Sequence, residues 1–353
     1  MEKETSLDFR TRIQEEAVET ALREGSGTLS LSVRLGKTLC GLRIASKYKK
    51  VLVSYPNTPI KDSWLKDSVK FGINIDHITF TTHLSLFKHD LSSFDCLIID
   101  ELHSVSIAQI EALIANLGDI ALFGLSGTVP VFGKKKWFMD NYCPIIYEKT
   151  LDETTGLTNK DYQITVHLLK PSEKKDIPLK NGGFWSEKAK IGFFESKYRA
   201  TRQFNVMLML IRAIMESKTK LNYVKQLSNK LNRALIFLET TEQCKQLNYP
   251  SFHAKEKNSE LHLEQFQSGE IDKLLCIKML DSGITFNSLD TVILLHCYSS
   301  NNKAHQRIAR ALNYVEGEKA DIHIIGLQGT SDEKWISKGL SEFSQDKIKY
   351  IKI

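Results

Sequence analysis

The sequence offers little that would tie it to a membrane, a secretory route or a metal centre. No apolar run in its 353 residues approaches the roughly 20 needed to span a bilayer. Its opening stretch, MEKETSLDFR, is polar and mixed in charge, so no signal peptide is expected. Six cysteines, at 40, 96, 143, 244, 276 and 297, are scattered without a C-x-x-C, and three sit in the apolar runs CLIID, LLCIK and ILLHC. They read as buried reduced thiols, and a cytoplasmic setting follows. His83, His253 and His296 lack metal-ligand spacing and read as ordinary core or surface residues. Neither a tandem repeat nor a low-complexity tract is visible.

What is present is a chain 42% apolar and 25% charged, the balance of a globular protein of about two domains. The net charge of +6 is unevenly placed. Between 172 and 230, ten Lys and three Arg stand against four Glu and one Asp, a local +8 that leaves the remainder at −2. Such a concentration points to an acidic partner more than the total does.

Short apolar runs alternate with helical patterns. TLSLSV (28–33), KVLVSYP (50–56), HITFTT (77–82), DCLIID (95–100) and IALFGLSG (120–127) read as strands. VSIAQIEALIANL places Ile107, Ile110, Leu113, Ile114 and Leu117 on one helical face. Near-continuous apolar strands between amphipathic helices predict an α/β fold, a parallel sheet covered on both sides. The rhythm breaks between FGKKKWFMDNYCP and TTGLTNK, which sets a junction near 150–160 and predicts domains 1–154 and 155–353. It resumes at QITVHLL (163–169), gives way to helical sequence from about 184 to 232, and continues through RALIFL, KLLCIK, TVILLHC and DIHIIGL. The second unit therefore carries a basic helical insertion, about 172–230.

SVRLGKT (32–38) follows the first strand and opens a helix, the context a phosphate loop requires. Gly36 permits close backbone approach, and a helix N-terminus favours an anion. Lys37 would reach the β- and γ-phosphates of a nucleotide, and Thr38 would hold Mg²⁺. The loop departs from the general pattern at Leu31 and Arg34, though an arginine there would itself suit phosphate. The second piece is CLIIDELH (96–103), in which a buried strand ends in Asp100-Glu101 at the sheet edge where ligands bind. Asp100 would hold Mg²⁺, and Glu101 would act as general base on water.

Taken in order, these and further segments resemble superfamily 2 helicases and translocases, the DEAD/DEAH-like group with two RecA-like domains. More narrowly, the chain is similar to small phage and bacterial DNA repair helicases of the Snf2-related branch. RIQEEAVETAL resembles the leading helix whose glutamine reads adenine, implying Gln14. VLVSYPNTPIKDSW resembles motif Ia and ITFTTHLSL the strand after it. IIDELH resembles motif II and adds His103, and LSGTVP resembles motif III, giving Ser126 and Thr128 as coupling residues. RALIFLETTEQC resembles motif IV, LDSGITF motif V around Gly283, and QRIARALNY motif VI, giving Gln306, Arg307 and Arg310.

The resemblance implies two RecA-like parallel-sheet domains in tandem and hydrolysis of ATP with Mg²⁺. Lys37, Glu101, Gln306, Arg307 and Arg310 would be catalytic, with Arg310 as the arginine finger. Gln14, Arg34, Gly36, Lys37, Thr38, Asp100 and Gly283 would bind nucleotide. Motif VI usually carries a glycine at 309 and a further arginine at 313. Here Ala309 and Asn313 stand there, and Thr285 replaces a frequent acid in motif V. Slowed rather than abolished hydrolysis is expected.

The partner implied is DNA, with RNA as the alternative, and partner subunits are a further expectation. Asn57, Thr81, Thr82, Thr240, Thr241 and Ser282 are candidate phosphate contacts. In FWSEKAKIGFFESKYRATRQF, the cations Lys188, Lys190, Lys197, Arg199 and Arg202 read as DNA contacts. The interleaved Phe184, Trp185, Phe193, Phe194 and Tyr198 read as packing the insertion onto its domain. The whole predicts an ATP-dependent helicase or translocase that remodels DNA in repair, recombination or replication. Two rivals are an ATP-binding module that does not cycle and the motor subunit of a restriction or defence assembly.

Overall fold

The computed structural model describes residues 5–32, 34–130, 132–179, 182–277, 289, 291–297, 304, 307–312, 318–341 and 343–353, the side chain of Arg310 excepted. The chain divides into two compact units, Met1–Asn159 and Lys160–Ile353.

Unit 1 runs α1 (Ser6–Glu24), β1 (Gly27–Leu31), α2 (Lys37–Ala45), β2 (Val51–Tyr55), α3 (Thr58–Phe71), β3 (Ile78–Thr82), β4 (Cys96–Asp100), α4 (Ile107–Asn116), β5 (Ala121–Ser126), α5 (Gly133–Tyr142), β6 (Ile145–Lys149) and α6 (Leu151–Thr154). Among the described residues its strands form one parallel sheet, ordered β3-β2-β4-β5-β1-β6. β1, β2 and β4 are buried along their full length, as strands covered on both faces must be. Side chains of β4 alternate between two cores. Cys96 and Ile98 meet Ile13, Leu42 and Trp64, whereas Leu97 and Ile99 meet Ile110, Leu113 and Phe138. α4 buries Ile110 and Leu113, while Ile107, expected on the same face, is 46% exposed.

The alternation does not break after β5, as the sequence suggested. α5 and the edge strand β6 continue it, with β6 pairing parallel to β1. Being half solvated, IIYEK lacks the continuous apolar run that marks an inner strand.

Unit 2 comprises β7 (Asp161–Leu169), the hairpin β8 (Lys175–Pro178) and β9 (Phe184–Ser186), α7 (Glu187–Thr201), α8 (Phe204–Met215), α9 (Lys218–Ser228), β10 (Ala234–Leu238), α10 (Thr241–Leu247), β11 (Ser251–Phe252), α11 (Ser259–Ser268), β12 (Lys273–Ile277), β13 (Thr291–Leu294), β14 (Lys319–Leu327), α12 (Ser331–Gly339) and β15 (Ile348–Lys352). Among the described residues a second, all-parallel sheet runs β11-β12-β10-β13-β14-β7-β15. The architecture is therefore two parallel-sheet α/β domains in tandem. The inserted helices lie between β7 and β10. Leu210 and Ile214 of α8, with Leu221 and Val224 of α9, pack onto Ile236 and Leu238, so they cover one face of the sheet. β11 and β15 add edge strands too short or too polar to be marked by apolar runs. All six cysteines are buried. Among the described residues no helix is long and apolar enough to cross a membrane.

Candidate active site

β1 delivers its chain to a loop that turns sharply into α2. Arg34 sits at φ 69° and Gly36 at φ 80°, both left-handed. Gly36 is the N-cap of α2, and a Cβ there would collide with the side-chain amide of Gln14. That amide, buried, donates from Nε2 to the Leu35 carbonyl at 2.9 Å and ties α1 to the loop. Lys37 Nζ donates to the Leu31 carbonyl at 3.3 Å, and a Cβ on Gly127 would stand 3.2 Å from the same nitrogen. The ammonium thus occupies the space at the carboxyl ends of β1 and β5, neighbours in the sheet. Thr38 is half-buried in the first turn of α2.

Asp100 ends β4, one strand further on. It is 4% exposed. Its Oδ2 accepts from Trp64 Nε1 at 2.8 Å and its Oδ1 from the Glu101 main-chain N–H at 2.9 Å. Burial, then the neighbouring Glu101 charge, pushes its carboxyl up to about 6, against the indole donor and Lys37, which pull it down. Glu101 itself takes a left-handed backbone, φ 52° and ψ 50°, which costs a non-glycine residue about 1 kcal/mol. Its Oε2 lies 3.4 Å from His103 Nδ1. The same imidazole nitrogen shares a 2.9 Å hydrogen bond with Ser126 Oγ at the end of β5. Ser126 Oγ in turn donates to the Thr128 carbonyl. Lys135 Nζ on α5 donates to the His103 carbonyl at 2.7 Å.

Unit 1 therefore gathers Gln14, Gly36, Lys37, Asp100, Glu101, His103, Ser126 and Thr128 around one edge of its sheet. That edge combines a cation at a helix N-terminus, a buried carboxylate and a partly exposed carboxylate with a hydrogen-bonded imidazole. Such a set suits an anionic phosphate, a hard divalent cation and a polarised water. Asn57 is exposed at the N-cap of α3, and Thr81 and Thr82 end β3 at the same sheet edge, Thr81 buried and Thr82 half-buried. Sequence reasoning missed Trp64 and Gly41, whose Cβ would collide with the indole, and treated His83 as an ordinary residue. The single signal was a tryptophan placed one helix after the phosphate loop.

In unit 2, Arg307 is 2% exposed and pairs with Glu239, Nη1 to Oε1 at 2.8 Å, its guanidinium over the Phe237 ring at 5.2 Å. The pair links the end of β10 to the helical segment carrying Arg307, a position suited to holding the unit together. Thr240 caps α10: its hydroxyl accepts from the Gln243 N–H at 3.3 Å, and Gln243 Oε1 accepts from the Thr240 N–H at 3.1 Å. Thr241 lines a concave patch with Lys245, His253 and Lys255. Ser282, Gly283 and Gln306, as well as the Arg310 side chain, lie outside the described residues.

On the insertion, Lys188, Lys197, Arg199 and Arg202 are exposed and Lys190 half-buried. Lys188 pairs with Glu173 at 2.7 Å, Lys197 lies over the Phe193 ring at 5.8 Å and Arg202 over Tyr198 at 5.8 Å. Trp185, Phe193 and Phe194 form one ring cluster, with Phe194 packed on the core, whereas Phe184 is 57% exposed.

Residues 219–314 match the family described as Helicase conserved C-terminal domain. The chain is similar to the DNA 3'-5' translocase XPB2 of Sulfurisphaera tokodaii, 21% identical over 362 residues, which cover 90% of this chain and 82% of that protein. Its fold is shared with the Pyrococcus furiosus Hef helicase domain at TM-score 0.51 and 15% identity, covering 93% of this chain and 96% of that one. It is also shared with the ATP-dependent Type ISP restriction-modification enzyme LlaBIII bound to DNA, at TM-score 0.64 and 13% identity, covering 97% of this chain and 31% of that one. By sequence the chain is thus similar to a DNA 3'-5' translocase, and by fold to a helicase domain and to a restriction-modification enzyme.

Proposed function

We propose that this protein is an ATP- and Mg²⁺-dependent DNA translocase or helicase. The observation that carries the reading is the meeting, at one sheet edge, of the Gly36-Lys37-Thr38 turn with the Asp100-Glu101 pair. The residues fit both groups. The Lys37 ammonium stands at a helix N-terminus, beside a glycine that leaves room, and Asp100 is a buried carboxylate beside a second acid, a site that a divalent cation relieves of charge.

Lys37 orients and neutralises phosphate oxygens, assisted by Arg34 and the loop N–H groups. Thr38 and Asp100 hold Mg²⁺, which when bound offsets the charge of the phosphates. Glu101 takes a proton from the attacking water. Gln14 braces the loop with one Nε2 hydrogen, and the amide's remaining donor and acceptor read the adenine. His103, Ser126 and Thr128 pass the state of Glu101 to β5. Arg310, Gln306, Arg307 and Gly283 retain the parts the family resemblance gives them, the Glu239 pair holding Arg307 in place.

DNA is read as lying along Asn57, Thr81 and Thr82 in unit 1 and Thr241 and Ser282 in unit 2. Thr240 contributes its main chain, its hydroxyl being the α10 cap. The cations Lys188, Lys190, Lys197, Arg199 and Arg202 add phosphate contacts without sequence preference. The setting proposed is cytoplasmic DNA remodelling in repair, recombination or replication, phage-encoded copies included. A second reading, the motor of a larger restriction or defence assembly, is favoured by the likeness to LlaBIII, which spans nearly this whole chain but only 31% of that protein.

The test is phosphate release measured with single-stranded, duplex and branched DNA and with RNA. DNA should stimulate the wild type, and Lys37→Ala and Glu101→Gln should abolish the stimulated rate. Equal rates in all three proteins would reduce the chain to a binding module.

A further inference from the structure

His83 follows directly on β3, the strand whose end carries the proposed nucleic-acid contacts Thr81 and Thr82. Its ring is 5% exposed and both nitrogens are engaged. Nδ1 shares a 2.7 Å hydrogen bond with Ser54 Oγ on β2, and Nε2 a 3.1 Å hydrogen bond with Ser104 Oγ. Ser104 lies in the turn after the acid pair, and its main-chain N–H donates to the Glu101 carbonyl at 2.8 Å. The His83 main-chain N–H is itself fixed by the Tyr55 carbonyl at 2.9 Å.

Sheet order makes this connection unusual. β3 and β4 are not neighbours, since β2 lies between them. Their ends are two strand spacings apart, roughly 10 Å, and no ladder hydrogen bond joins them. One imidazole spans that gap. A shift at β3 that moves the ring therefore changes the length or angle of the Ser104 bond.

Resting on the function proposed above, we infer that His83 is a positioning residue that carries nucleic-acid occupancy at Thr81 and Thr82 to Glu101 through Ser104. Nothing in the chemistry of hydrolysis requires it, so its loss should separate the basal rate from the stimulated one.

The experiment compares the phosphate-release rate with and without a single-stranded oligodeoxynucleotide, alongside the affinity for that strand. The proteins are the wild type, Ser104→Ala, His83→Asn and His83→Gln. Ser104 is exposed, so its truncation spares the fold. Asn can replace the Nδ1 contact alone, whereas Gln reaches toward the Nε2 position. Ser104→Ala and His83→Asn should keep basal rate and strand affinity while stimulation falls about fivefold or more, and His83→Gln should restore much of it. Stimulation equal to wild type in Ser104→Ala and His83→Asn would overturn the relay and leave the translocase reading standing. Parallel loss of basal and stimulated rates in Ser104→Ala would overturn it in favour of a merely structural bond. A wild-type rate indifferent to every nucleic acid removes the translocase reading, and the relay with it.

Discussion

The indole N–H of Trp64 donates to Asp100 Oδ2 at 2.8 Å, joining α3 to the end of β4 inside a fully buried setting. Trp64 in turn lies against Gly41 of α2, the helix that begins at the phosphate loop, and edge-on to Phe80 of β3 at 6.1 Å. One aromatic side chain therefore fixes the carboxylate relative to the loop.

Replacing Trp64 by Phe keeps most of the apolar volume and removes the donor. A buried carboxylate oxygen left without its partner costs about 1–3 kcal/mol, measurable by urea unfolding. Lys37→Ala, which leaves only the Leu31 carbonyl without this donor, should cost less. If Asp100 holds Mg²⁺, Trp64→Phe should also raise the Mg²⁺ concentration needed for half-maximal phosphate release.

Asp100 makes its own contribution to the pH dependence of folding. Its folded value of about 6 lies above the ordinary 3.8, so between those limits the folded state binds more protons than the unfolded one. Stability from this group is greatest below pH 3.8 and is lost as pH rises through 6, by roughly 1–3 kcal/mol. The difference in unfolding free energy between wild type and Asp100→Asn should drift by that amount from pH 4 to pH 7. A flat difference would mean the carboxylate is better solvated than its position implies.

Unit 2 should respond to acid in the opposite sense. His167 Nε2 and His323 Nδ1 share a 3.0 Å hydrogen bond across β7 and β14, and Tyr223 closes the other side of His167 at 3.0 Å. Burial lowers His167 to about 4 and lowers His323 and His296 as well. The unfolded chain takes up these protons near 6.5 while the folded chain does not, so stability is lost as pH falls from 6.5 toward 4. In unit 1, His83 and Asp100 work against each other over the same range. Hydrogen-exchange protection of β7 and β14, corrected for intrinsic rates, should therefore drop more between pH 7 and 5 than that of β1 and β4.

The Arg307–Glu239 pair distinguishes a structural arginine from a catalytic one. Removing either partner alone leaves a buried charge and should cost about 3–5 kcal/mol. Arg307→Met combined with Glu239→Leu should recover most of that loss, giving a large coupling energy in a double-mutant cycle. If the double variant also regains stimulated phosphate release, Arg307 serves the fold. If stability returns without activity, the arginine has a part in the chemistry.

Much of this protein is legible in one dimension. Runs such as VLVSY and CLIID are buried end to end, so an inner parallel strand is the structure that satisfies both their backbone and their side chains. The Gly-Lys-Thr turn and the acid pair each announce themselves because their chemistry depends on residues adjacent in the chain. The edge strands β6 and β15 do not, since a strand open to water on one side needs no apolar run, and β11 is only two residues long.

The partners of the buried polar groups were decided elsewhere. Trp64 reaches Asp100 across 36 positions, His83 reaches Ser104 across 21, and Arg307 reaches Glu239 across 68. None of these pairs has a periodicity or a motif, because each exists only when folding brings a distant helix or strand end to the carboxyl end of a strand. Local sequence determined which segments become strands, which turn approaches an anion and which residues carry charge. Tertiary structure alone decided which buried donor meets which buried acceptor, since burial makes an unpaired polar group too costly to leave and the sheet leaves few places for its partner to stand.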